Sequence, residues 1–145
     1  MGIEMNIQTW NLLGKEDRKE QDDIRMINFA KASLYHWQHS PKFEPVNEQR
    51  GQWMTSHVYA ILGRGEEALE SARETMRLTK QHNFKDFDLA YAYEALARTH
   101  AALGNKDECN RWLNKAKEAG ELIDSVGDKK IFEGELKAGP LLGCS

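Results

Sequence analysis

Apolar residues recur at spacings of three and four along most of this chain, and the strict alternation that marks a strand is absent. Ala68, Leu69, Ala72 and Met76 form one such series, and Cys109, Trp112, Leu113, Ala116 and Ala119 form another. A third runs from about residue 20 to 39. Ile24, Ile27, Ala30, Lys31 and Leu34 make its stripe, with Met26, Ser33 and Trp37 close by. Breaks fall at "HSPKFEP", which holds two of the three prolines, and at "QHNFKDFD". The pattern predicts helices throughout, with linkers near 40–47 and 81–87.

Two of these helical stretches say nearly the same thing. Placing Leu62-Gly63 over Leu103-Gly104, 41 residues on, also aligns Ala60 with Ala101 and Glu67 with Glu108. Each copy reads as helix, glycine turn, helix. Gly63 and Gly104 suit the left-handed residue that ends a helix, where a Cβ would clash. Asn105 is placed to cap the second helix of its copy, with Asp107 and Glu108 in the first turn. Glu66 and Glu67 stand in the first turn of the other. The residues expected in the core are Ala68, Ala72, Leu96, Leu103, Cys109 and Leu113.

The second copy resembles a tetratricopeptide repeat. It supplies Leu96-Ala97, Gly104, Cys109, Leu113 and Ala116 where that motif has a Leu and a small residue, the turn glycine, and a small, an apolar and a small residue. The first copy supplies Thr55-Ser56, Tyr59, Gly63, Ala68, Ala72 and Thr75, and departs from the motif at Thr55, where Leu is usual. The proline that usually follows the second helix is missing from both, and the period exceeds the common 34. It is similar to the longer repeats of kinesin light chains and bacterial regulatory proteins. The strings "ASLYHW", "RGQWMTSHVYAILGR" and "DFDLAYAYEALART" also look like a group of small bacterial tetratricopeptide-like proteins with no assigned activity. The resemblance implies an all-α superhelix of antiparallel helix hairpins at about 4–39, 46–81 and 86–124. A capping helix at about 128–138 would follow, then a mobile tail, 140–145.

Composition narrows the function classes. The 145 residues carry a net charge of −3, which argues against a broad nucleic-acid surface. No apolar run approaches the roughly 20 residues of a membrane span. No secretory leader is evident at the start. Two cysteines make neither a disulfide framework nor a zinc signature, so Cys109 is expected as an inert core thiol in a reducing cytoplasm. "GRGEEA" lacks the strand and lysine of a phosphate loop. No nucleophile–base–orienter set is visible, and no cofactor is implied. Glu94 with His57 or His100 is the nearest approach to an acid–base pair. His36 and His39, three apart, are the nearest to a metal pair, without the ligand signature of a zinc site. Packing at the junction with the next hairpin is the better reading of Tyr35, His36 and Trp37.

In tetratricopeptide arrays the first helix of each hairpin lines a concave groove. Carried over, the groove positions are Arg50, Trp53 and His57 in the first copy and Tyr91, Glu94 and Arg98 in the second, with the same i, i+3, i+7 spacing. Arginine forks and flat aromatic rings suit an extended partner, acidic or ending in a carboxylate. The plainer alternative is that Trp53 and Tyr91 pack between hairpins while Glu94 pairs with Arg98. The functional expectation is a non-catalytic protein- or peptide-binding module. A small-molecule or metal-dependent enzyme and a self-associating structural module stand as alternatives on the same scaffold.

Overall fold

The computed structural model describes residues 20–39, 41 and 44–136. Among them lie six helices and no strand: α1 Glu20–Gln38, α2 Pro45–Ile61, α3 Gly65–Gln81, α4 Phe87–Ala102, α5 Lys106–Glu121 and α6 Val126–Leu136. The first half of the expected hairpin at 4–39 and the tail 140–145 lie outside the described residues. No described helix is long and apolar enough to cross a membrane.

The helix ends follow from local chemistry. Pro45 occupies the first turn of α2, where its missing N–H costs nothing, and Glu44 N donates to Asn47 Oδ1 at 2.9 Å. At the other end Gly63 takes a φ of +74°, and Arg64 N donates back to Tyr59 O at 2.8 Å. The end of α4 repeats this 41 residues later: Gly104 has φ +75° and Asn105 N donates to His100 O at 2.9 Å. Asn105 then caps α5, its side-chain oxygen accepting from Glu108 N. Both turns stand where the glycine pattern put them.

Each helix from α1 to α5 packs on its successor, α2 also packs on α4, and α6 lies against α4 and α5. Residue 50 meets 88, and 53 meets 91 and 94, so α2 and α4 run side by side in one direction. Gln49 locks this arrangement. It is 1% exposed, and its amide donates to Thr79 Oγ1 on α3 and to Asp88 O on α4, both at 3.1 Å. A buried amide with both donors satisfied ties three helices at one level.

The core is made of small residues and close approaches. Ala68, Ala72, Cys109, Leu113 and Leu96 are buried as expected; Thr55, Ser56, Thr75, Ala97 and Ala116 are buried beside them. Where the helices come closest there is no Cβ at all. One on Gly65 would sit 2.6 Å from a Leu103 methyl, and one on Gly120 2.7 Å from the Phe132 ring. Leu103 is therefore corrected: it is 39% exposed and lies over the Gly65 turn instead of inside the core. The α1 stripe is also rotated from the expected one. Asp22, Met26, Ala30 and Ser33 are its buried positions, while Ile24 is 51% exposed. Cys109 is fully buried but sits in a disulfide, which corrects the free-thiol expectation.

Candidate functional site

The six groove positions do come together, but they divide into a closed part and an open part. Glu94 and Arg98, one turn apart on α4, are 0% and 4% exposed. Arg98 Nε donates to Glu94 Oε1 at 2.6 Å, and Trp53 Nε1 donates from α2 to Glu94 Oε2 at 2.9 Å. Both carboxylate oxygens are thus engaged, which is what permits an ion pair to be buried. His57, one turn beyond Trp53, lies ring on ring with it at a centroid distance of 5.0 Å. Burial drives the His57 pKa down from 6.5 to about 4, with Glu94 opposing and Arg98 adding to the shift. At neutral pH it is an uncharged imidazole.

Helix α6 does the closing. Phe132 is fully buried and meets Tyr91 edge to face at 4.9 Å. The α6 backbone at Glu135 accepts a bond from Arg98 Nη2 at 3.5 Å. The Tyr91 phenol and the Glu135 side chain lie close enough to shift one another's titration. Burial first, then the Glu135 charge, pushes the Tyr91 phenol well above its ordinary range, so it stays protonated. Burial likewise raises the Glu135 carboxyl, Glu94 adds to the rise, and Tyr91 and Arg98 oppose it.

What remains open is a cavity of about 390 Å³ between α1, α2, α4 and α6. Trp53 and Tyr91 form its floor and meet edge to face at 5.3 Å. At the rim stands Arg50, its side chain 52% exposed. Asp88 holds the guanidinium with two oxygens, at 3.1 Å from Nε and 3.3 Å from Nη2, and the Phe87 ring lies 5.0 Å from it. Ser33, Asn47 and Met54 complete the α1 and α2 walls, and Glu135 the α6 wall. Of the expected site residues, Arg50, Trp53 and Tyr91 line this cavity, whereas Glu94 and Arg98 are spent on each other beneath it.

Phe87, Asp88 and Glu135 were not among the expected positions. Asp88 lies three residues before Tyr91 and 41 after Asn47, so extending both rows by one helical turn would have reached the pair. Glu135 carries no such signal, because it belongs to α6, outside the repeated stretches. The other candidates lie elsewhere. His36 is exposed on α1, and so is His39 just past its end, whose Nδ1 is 2.9 Å from Tyr35 O. Tyr35 is 63% exposed, so it and His36 do not cover the next hairpin as expected. His100 is partly buried on α4, and burial lowers its pKa. Among the described residues no group of three or more His, Cys, Asp or Glu is arranged to hold a metal ion. Compared with protein-family models, curated proteins and solved structures, the chain matches none.

Proposed function

We propose that this chain is a non-catalytic interaction module of tetratricopeptide-like design, which holds an extended segment of a partner protein against α2 and α4. The observation that carries this reading is the cavity itself. It opens between two helices that repeat one hairpin pattern, its floor is aromatic, and its volume falls in the ~300–1,000 Å³ range of ligand pockets. The contacts support it: α2 packs on α3 and α4, α4 on α5, and α6 on α4 and α5, an order compatible with stacked hairpins and a final cap. Aromatic rings give contact area at low entropic cost, while the polar groups of the walls fix register.

The kind of partner differs from the acidic peptide that the arginines alone suggested. Arg98 is buried and matched by Glu94, and Arg50 is forked by Asp88. An incoming carboxylate would have to displace one of these. Affinity is expected at roughly micromolar or weaker, because two hairpins offer limited area. A peptide-library pull-down with the full chain tests the reading, followed by mapping of the selected peptides by amide chemical shifts. Saturable shifts at Gly51, Trp53 and Tyr91 are the expected result. Shifts confined to the outer face of α3, at Arg73 and Arg77, would contradict it.

A further inference from the structure

The cavity has an excess of negative charge. The cluster of cavity wall and buried pair contains two cations, Arg50 and Arg98, and three carboxylates, Asp88, Glu94 and Glu135. Two carboxylates are consumed by the two arginines at 3.1 and 2.6 Å. His57 is neutral at physiological pH and contributes no charge. The third carboxylate, Glu135, stands beside the neutral Tyr91 phenol. Its Oε2 atom is buried and accepts no hydrogen bond from the described residues. A carboxylate with an oxygen left without a donor is incompletely compensated, and its charge acts on a cation brought into the cavity.

The rim shows what kind of donor fits such surroundings. There Arg50 lies over the Phe87 ring with its guanidinium in the fork of Asp88. The ingredients are a ring, a carboxylate and a cation. Deeper in, Trp53, Tyr91 and Glu135 supply the ring and carboxylate again. Resting on the reading of the cavity as a peptide site, we propose that it takes a cationic side chain of the partner, lysine or arginine, with Glu135 as counter-ion and the Trp53 and Tyr91 rings as walls. Ring faces attract a cation, and the rings pack against its methylene stem, most strongly where water is excluded. The fourfold contrast of partner residues then follows: a cation is favoured, an apolar chain of equal length gains only area, a neutral polar chain gains less, and a carboxylate is repelled.

The test uses four capped pentapeptides, Ala-Ala-X-Ala-Ala, with X as Lys, Arg, norleucine or Glu, titrated into the isotope-labelled full chain. The readout is the Gly51 amide and the Trp53 indole N–H. Lys and Arg peptides are expected to bind about tenfold more tightly than the norleucine peptide, which is 1.4 kcal/mol. That advantage should shrink with added salt, which needs no variant, and Lys and Arg peptides should lose their lead over norleucine in Glu135→Gln. Norleucine equal to Lys, a salt-independent preference, or the Glu peptide binding best would overturn the cation assignment and leave the peptide groove standing. Failure of all four peptides to move either signal, alongside library peptides that shift other surfaces, would overturn both.

Discussion

Two arginine–carboxylate pairs sit a few turns apart in this molecule and behave as different objects. Arg50 and Asp88 join α2 to α4 at the cavity rim, with side chains 52% and 14% exposed. Arg98 and Glu94 sit within α4 at 4% and 0%. The chemistry is the same and the surroundings differ: Trp53 of α2 and the α6 backbone at Glu135 bond to one pair, while the other stands at the rim of the cavity. An exposed pair is solvated in either state, so it contributes little and exchanges readily. A buried pair has lost its water, so each partner depends on the other. Charge of one kind thus builds the scaffold in one place and borders an open cavity in another.

The largest effect should come from splitting the closed pair. Glu94→Ala leaves Arg98 buried without its counter-ion and Trp53 without its acceptor, and should cost about 3–5 kcal/mol in urea unfolding. Asp88→Ala at the open pair should cost no more than about 1 kcal/mol. Equal losses would erase the distinction. Packing should follow the same divide. Leu113, 4% exposed, should cost about 2–5 kcal/mol as Leu113→Ala, and Leu103→Ala, at 39% exposed, clearly less. Thermal melts of the two variants check the order.

His57 lies on the border, and pH reads its state. Its folded pKa of about 4 lies below the unfolded value of 6.5, so the unfolded chain takes up the proton first. Stability therefore falls as pH drops from about 6.5 to about 4 and levels off below, by at most about 3 kcal/mol from this group. Glu135 has the opposite sign. Its raised pKa means that its contribution is lost as pH rises above about 4.5. Urea unfolding across pH 4–7 should show the acid-side loss diminished in His57→Gln and steepened in Glu135→Gln. The smallest effect belongs to Arg50→Ala, which should leave stability within about 1 kcal/mol while changing how peptides bind.

The two glycine turns were legible because a positive φ leaves few residues to choose from, and Gly63 and Gly104 advertise it at one spacing. The rotated stripe of α1 was not. Hydropathy favours Ile24, yet the buried positions are Asp22, Met26, Ala30 and Ser33, where polarity is tolerated. Helical spacing also brought Arg50, Trp53, His57, Tyr91, Glu94 and Arg98 to one surface. It did not reveal which of them face water, because that depends on where α6 docks. That docking is set by Phe132 meeting the bare face of Gly120 and by the Arg98 bond to the Glu135 carbonyl, contacts between segments with no shared periodicity.

The side-chain Nε–H signals of the two arginines test the division most directly. In the free protein, the Arg98 signal should exchange slowly with solvent and the Arg50 signal fast. On titration with a peptide selected from a library, Arg50 and the Trp53 indole should shift saturably while Arg98 remains protected. Fast exchange at Arg98 in the free protein, or a bound peptide that leaves Arg50 and Trp53 unmoved, would contradict the account.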